Sequence, residues 1–348
     1  MLPTARNAQG APVTSSIDPA EVVPAEADRG RLAQRPSEIA WRGWWDVLWR
    51  VKDQLDADNV SIVAAGLALY SLLAVFPSLA AAVAIYGLVA SPEAIQAQMS
   101  AFGGMLPAGT IQILQSQLHE LVSQRNETLG IGVIVGIVLA LWSARKGMVA
   151  LITAMNVAYN EHDRRSFLVR LLLSMGFTIG GVLGFILVIL LGVAVPVVLK
   201  FLPLGIAAEW VLLGVRWALL WLIAILALAT LYRFAPHRTR PRWEWVNAGS
   251  VIAATLWLIG SVLFAVYVRN FNSFGEAYGA IAGVVVMLMW FYVSAYVVIL
   301  GAEINSELER QTVNDTTIGP TKPIGERGAY SADTVGPRGW AWKRATRH

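Results

Sequence analysis

The chain alternates between long apolar runs and short polar segments, with a polar stretch at each end. Residues 1–37 are rich in Ala, Pro, Arg and Glu and carry too little apolar surface to offset ordering entropy. They read as a disordered tail. A signal peptide would need an apolar core ahead of a cleavage site, and this stretch has none. From Trp41 the pattern turns helical: Trp41, Trp44, Trp45, Leu48 and Leu55 recur at helical spacing, with Arg42, Arg50 and Lys52 among them. That predicts an amphipathic helix, lying on a membrane surface or packing its aromatic stripe on a bundle.

The run from Asn59 to Ala90 carries no charge and, at ~1.5 Å per residue, is longer than a ~30 Å apolar layer. Pro77 removes a backbone donor within it and is the expected kink. Residues 91–128 are polar, but Ile111, Leu114, Leu118, Leu121 and Val122 share one helical face and predict a surface helix. A second apolar run starts at Leu129, meets Arg145 and Lys146 after Trp142, and is expected to continue as helix past them. Further runs cover Leu171–Leu199, Trp210–Tyr232, Val246–Val268 and Tyr278–Ala302. Beyond Arg310 the chain is polar, with Gly and Pro, and reads as a second disordered tail. The expected organisation is a tail over 1–37, a transmembrane domain over 38–310 and a tail over 311–348. The fold class is all-α: a polytopic membrane protein with a bundle of six transmembrane helices plus amphipathic surface helices.

Composition agrees with the pattern. Only 14% of residues are charged, against about 25% in soluble proteins. Many of the 14 tryptophans flank apolar runs, where an indole suits the headgroup layer. The absence of cysteine excludes disulfides, thiolate metal sites and a cysteine nucleophile. With both ends placed inside, 23 of the 27 Lys and Arg fall in inside segments and three (Arg125, Lys200, Arg269) outside, while Arg216 lies within a span. This obeys the positive-inside rule and accounts for the net charge of +4 without a nucleic-acid partner.

Small residues at four-residue spacing let helix backbones approach closely. Gly176, Gly180 and Gly184 show that spacing, as do Gly132 with Gly136 and Gly279 with Gly283, and all are expected to pack helices. Charged groups inside spans mark functional sites by default. Arg216 therefore joins Glu303, Tyr70 and Asn270 as a candidate substrate path, with outward snorkelling the alternative for Arg216 and a helix-end cap the alternative for Glu303. Glu161, His162 and Asp163 are consecutive and cannot converge on one helix face, which makes a poor metal site. No nucleophile elbow, phosphate-binding loop or dinucleotide fingerprint occurs. No catalytic residue, metal or cofactor is expected, and the chain does not read as an enzyme.

Four stretches resemble the YihY/BrkB family of bacterial inner-membrane proteins. They are NVSIVAAGLALYSLLAVFPSL (Asn59–Leu79), LWSARKGMVALITAMNVAYN (Leu141–Asn160), LYRFAPHRTRPRWEWV (Leu231–Val246) and YGAIAGVVVMLMWFYVSAYVVILGAEINSELER (Tyr278–Arg310). The resemblance spans roughly residues 40–310 in order and leaves out both tails. It implies six spans with both termini cytoplasmic, in the bacterial inner membrane. For function it implies links to virulence, movement of ions or lipid-related molecules, and in some members a ribonuclease label. The leading expectation is transport of a small solute, ion or lipid-like molecule, with the lipid bilayer as the certain partner. A non-transporting envelope-assembly or scaffold protein is the alternative, and a membrane-attached ribonuclease ranks last because no metal-ligand cluster is visible.

Overall fold

The computed structural model describes residues 26–89, 129–191, 206–270 and 280–338. Seven long helices carry the architecture: α1 (Trp41–Ala57), α2 (Val60–Val89), α3 (Leu129–Ala158), α4 (Phe167–Ile189), α5 (Ile206–Phe234), α6 (Trp243–Asn270) and α7 (Ala280–Glu309). A short α8 (Tyr330–Asp333) and two 3-10 turns, Ala27–Arg29 and Pro36–Glu38, complete the described elements. Among the described residues there is no strand, only an isolated bridge between Pro241 and Thr317. The expected all-α class is what the chain adopts.

Among the described residues, four helical segments are long and apolar enough to cross a membrane: Phe167–Val188, Gly214–Phe234, Trp243–Arg269 and Gly283–Glu309. The bent pair formed by α1 and the start of α2 would make a fifth if the two helices count as one span. Between 11% and 17% of each crossing segment is buried, so their apolar side chains face outward, as lipid-facing helices do. The second expected run is helical and, as predicted, continues past Arg145 and Lys146, ending at Ala158. Asn160 stops it in the left-handed conformation (φ 54°), with the Glu161 amide reaching back to the Asn156 carbonyl.

A sharp bend precedes the first span. Helix α2 runs through Pro77, and the 64° turn falls between α1 and α2. There Asn59 sits at φ 49°, a conformation asparagine tolerates better than most residues, and its carbonyl accepts the Ile62 and Val63 amides that start α2. Helix α1 packs on the bundle, one of its two expected placements. Val47 and Val51 are buried against α7, while Trp41, Trp45 and Leu48 remain exposed.

Helix α2 packs against α3 and α7, α6 lies between α5 and α7, and α4 joins through α3. Their shared core gathers at one end of the bundle, around Val60, Leu67, Ile152, Met155, Tyr159, Tyr232, Val246 and Ile299. Glycine makes the tightest of these contacts possible, but not at the predicted positions. A Cβ on Gly249 would overlap the Gly301 carbonyl, and one on Gly301 would lie 2.6 Å from the Ala253 Cβ. By contrast, among the described residues nothing lies within 4 Å of a Cβ added at Gly176, Gly180, Gly184 or Gly283. Four-residue spacing marks a face, and for these four the face is open. Gly132 and Gly136 lie on α3, and Gly279 is outside the described residues.

The chain beyond Arg310 differs most from its expectation. Residues 311–338 fold back onto the end of the bundle and bury Gln311, Thr312, Thr316, Thr317, Arg327 and Ser331. Residues 26–39 do the same, burying Arg31 completely. Polar composition did not prevent ordering because the buried polar groups find partners in each other. Residues 1–25 and 339–348, and the surface helix expected within 91–128, lie outside the described residues.

Candidate functional site

The last two turns of α7 carry the densest chemistry in the molecule. Glu303, Asn305, Ser306, Glu307 and Glu309 are all buried there. A stretch that reads as a polar helix end in sequence is thus wrapped on every side by protein. Asn305 clamps α7 to α6: its Oδ1 accepts the Gly249 amide at 2.7 Å and its Nδ2 donates to the Val246 carbonyl at 3.1 Å. Tyr232 of α5 adds a 2.8 Å hydrogen bond to the Val298 carbonyl.

Buried carboxylates need compensation, and two of the three glutamates have it. Glu307 receives Arg50 of α1 and Arg310, each at 2.5 Å. Arg50 also donates to the Glu307 carbonyl, the Gln311 Oε1 and the Pro337 carbonyl, so its guanidinium ties α1, α7 and the returning segment together. Glu309 pairs with Arg238 at 2.6 Å, both side chains fully buried, and accepts the Thr316 hydroxyl at 2.9 Å. Arg238 in turn lies 4.8 Å over the Tyr159 ring.

Glu303 is the exception. It is completely buried and neither carboxylate oxygen has a hydrogen-bond partner. Its carboxyl interacts with another acid, Asp58 at the α1–α2 bend. Asp58 holds the Gln54 amide at 2.9 Å on its own helix.

The terminal segments close over this cluster. Glu26 pairs with Arg31 at 2.7 Å and with Arg338. Burial alone would raise the Glu26 pKa, but the hydrogen bonds and charges of the two arginines outweigh it and hold it below the usual range. Asp315 is likewise held low: burial opposes its charge, while the Lys322 amide, the Thr317 hydroxyl and amide and the Arg327 charge favour it. Arg327 donates to the Val313, Asn314 and Ala332 carbonyls, and Asp333 accepts the Gly325 and Gly328 amides. Glu161 connects this segment to the α3–α4 loop by accepting the Tyr330 amide at 2.7 Å. Burial pushes the Glu161 pKa up to about 7, against the hydrogen bond and the Arg238 charge.

The four residues proposed for a substrate path are not brought together by any described contact. Glu303 belongs to the cluster just described. Tyr70 is exposed on α2. Arg216 is half-buried on α5, its guanidinium 5.3 Å over Trp217 with Nε lacking a partner. Asn270 ends α6, and its side chain lies outside the description. Sequence reading missed Asp58, Arg50, Arg238 and Asn305. Of these, Asn305 was visible as a polar position beside Glu303, and the arginines gave no local signal. Among the described residues no group of three His, Asp or Glu could hold a metal.

The fold and its lipid-suited helices define the class: a multi-pass, all-helical membrane protein. Residues 51–324 match the model of the virulence factor BrkB family, and the chain belongs to that family. It is similar to the ribonuclease-like protein YfkH of Bacillus subtilis, 31% identical over 252 residues that cover 71% of this chain and 90% of that protein. It is also similar to UPF0761 membrane proteins of Idiomarina loihiensis and Cronobacter sakazakii. These are 26% and 27% identical, covering 78% and 80% of this chain and 95% and 92% of theirs. No solved structure matches the chain.

Proposed function

We propose that the protein moves an ion or small solute across the bacterial inner membrane, coupled to protonation of the Glu303–Asp58 pair. The observation that carries this reading is Glu303 itself, fully buried, reached by no donor of the described residues, and interacting with a second acid, Asp58. Two carboxylates in contact repel, so the pair is stable only when a proton or cation neutralises one charge. Neighbouring Glu307 and Glu309 each pair with arginine, whereas Glu303 has no ion pair among the described residues, which makes it the group best placed to exchange such a charge. The distribution of Lys and Arg supports a six-span arrangement with this end, and both termini, on the cytoplasmic side. Glu303 is then the inner stage of the path and Arg216 an outer one.

The test is proton movement in vesicles reconstituted with the full chain and an internal pH dye. Protein-dependent proton entry under an imposed potential is expected, and Glu303→Gln, which keeps shape and removes the titratable group, should abolish it at equal incorporation. Entry identical to protein-free vesicles, or unaffected by the substitution, would overturn the reading.

One observation favours the scaffold reading instead. Residues 26–39 and 311–338 seal the same end with buried ion pairs, as a static assembly platform would. That reading predicts cellular function that follows protein level alone and ignores Glu303→Gln. The ribonuclease name belongs to the Bacillus relative, and no cluster described here supports that chemistry in this chain.

A further inference from the structure

On the flank of the polar end, the segments before α4 and after α5 enclose a cavity of about 350 Å³. Its polar wall is formed by four arginines, Arg165, Arg233, Arg238 and Arg240, with His237, and no carboxylate lines it. Its apolar wall is Phe234 with Val169 and Leu173 of α4.

The arginines differ in what they have left to give. Arg165 is committed to the chain: it donates to the Ala235 carbonyl at 2.8 Å and the Pro236 carbonyl at 2.6 Å, fixing the floor. Arg238 spends Nη2 on Glu309, but its Nη1 is buried without a partner on a side chain with no exposure. Arg233 forms no ion pair among the described residues. Its guanidinium lies 4.2 Å over the Trp243 ring, and Nε and Nη1 are both buried without acceptors. Arg240 is exposed, 4.9 Å over the Phe234 ring, and also forms no ion pair among the described residues. Three buried guanidinium nitrogens without acceptors, beside a cavity with no negative lining group, call for an anion rich in acceptor oxygens. Planar guanidinium groups match phosphate oxygens in pairs, which a halide or a single carbonyl cannot do.

The location narrows the ligand. The crossing segment of α4 begins at Phe167 and that of α5 ends at Phe234, so the cavity lies where the apolar layer gives way to headgroups. Above it Leu168 and Leu172 are 60% and 63% exposed, an apolar track along which an acyl chain could run. We propose that this cavity binds a phosphate group, carried by an anionic phospholipid headgroup or by a soluble phosphate. The site is independent of Glu303 and stands whether or not the protein transports.

Thermal unfolding of the full chain in an uncharged detergent tests this with three probes at matched ionic strength. They are short-chain phosphatidylglycerol, short-chain phosphatidylcholine and inorganic phosphate. The expected result is stabilisation by phosphatidylglycerol, by phosphate or by both, and none by phosphatidylcholine. Response to phosphatidylglycerol alone assigns the lipid source, and an equal response to phosphate assigns the soluble one. In Arg233→Gln/Arg240→Gln, which breaks no ion pair, the half-saturating concentration should rise at least tenfold. Should that variant fail to fold, Arg240→Gln alone, at an exposed position, should raise it severalfold. No stabilisation by either anion, equal stabilisation by phosphatidylcholine, or variants that respond like the parent would overturn the proposal.

Discussion

The two halves of the bundle are held by different forces. At the polar end, ion pairs join residues hundreds of positions apart: Arg50 to Glu307, Arg338 to Glu26, Arg238 to Glu309. In the crossing segments the dominant feature is outward apolar surface, with Phe185, Val262 and Leu263 each more than 60% exposed. Lipid tails are as apolar as leucine, so burying such residues against another helix gains little within a bilayer. Helix position in that region must be inherited from somewhere else. The polar end supplies it, because its ion pairs form only when several elements are correctly placed.

The comparison can be broken most forcefully at Arg50. Arg50→Met leaves Glu307 with one arginine fewer and frees the Gln311 and Pro337 contacts, and removing one partner of a buried pair costs ~3–5 kcal/mol. A large drop in thermal stability in detergent is expected, and stability close to the parent would mean that the network holds without it. A smaller effect contrasts two glycines. Gly249→Ala forces its Cβ onto the Gly301 carbonyl and should cost ~1–3 kcal/mol as overpacking does. Gly180→Leu, on an open face, should stay within ~0.5 kcal/mol. Equal effects on melting temperature would erase the distinction between the halves.

The smallest effect is pH-dependent. The Glu161 pKa is raised above its ordinary 4.5, so the folded state holds the proton more tightly than the unfolded one. Its contribution is fully present below about pH 4.5 and is lost as pH rises through about 7. Arg238, Asp333 and Glu309 act electrostatically on the same carboxyl. Melting measured at pH 6 and pH 8 should show a decline that Glu161→Gln abolishes. A decline of the same size in the variant would assign it to another group.

Much of the fold is legible in the sequence, and the reason is local. Apolar run length and the charge-free stretch from Asn59 announce helices without reference to any partner. The amphipathic stripe of α1 shows equally well, since its period lies within one element. The polar end was not legible because its logic is pairwise and distant. Arg31 reads as one charge in a disordered-looking tail until Glu26 and the Gln311 carbonyl enclose it. Glycine spacing failed in the same way, marking Gly176, Gly180 and Gly184 but not Gly249 and Gly301, whose partner lies on another helix. Glu303 could be singled out by its place at the end of an apolar run, but its pairing with Asp58 could not.

The central claim is that the chain after Arg310 returns to lock the polar end. The absence of cysteine permits a direct test. The hydroxyls of Ser306 on α7 and Ser331 on α8 lie 2.8 Å apart and are buried. In Ser306→Cys/Ser331→Cys, mild oxidation of intact membranes should join the two thiols nearly completely, and both should resist maleimide beforehand. Two freely labelled thiols that fail to cross-link would show the segment detached from the bundle and contradict the account.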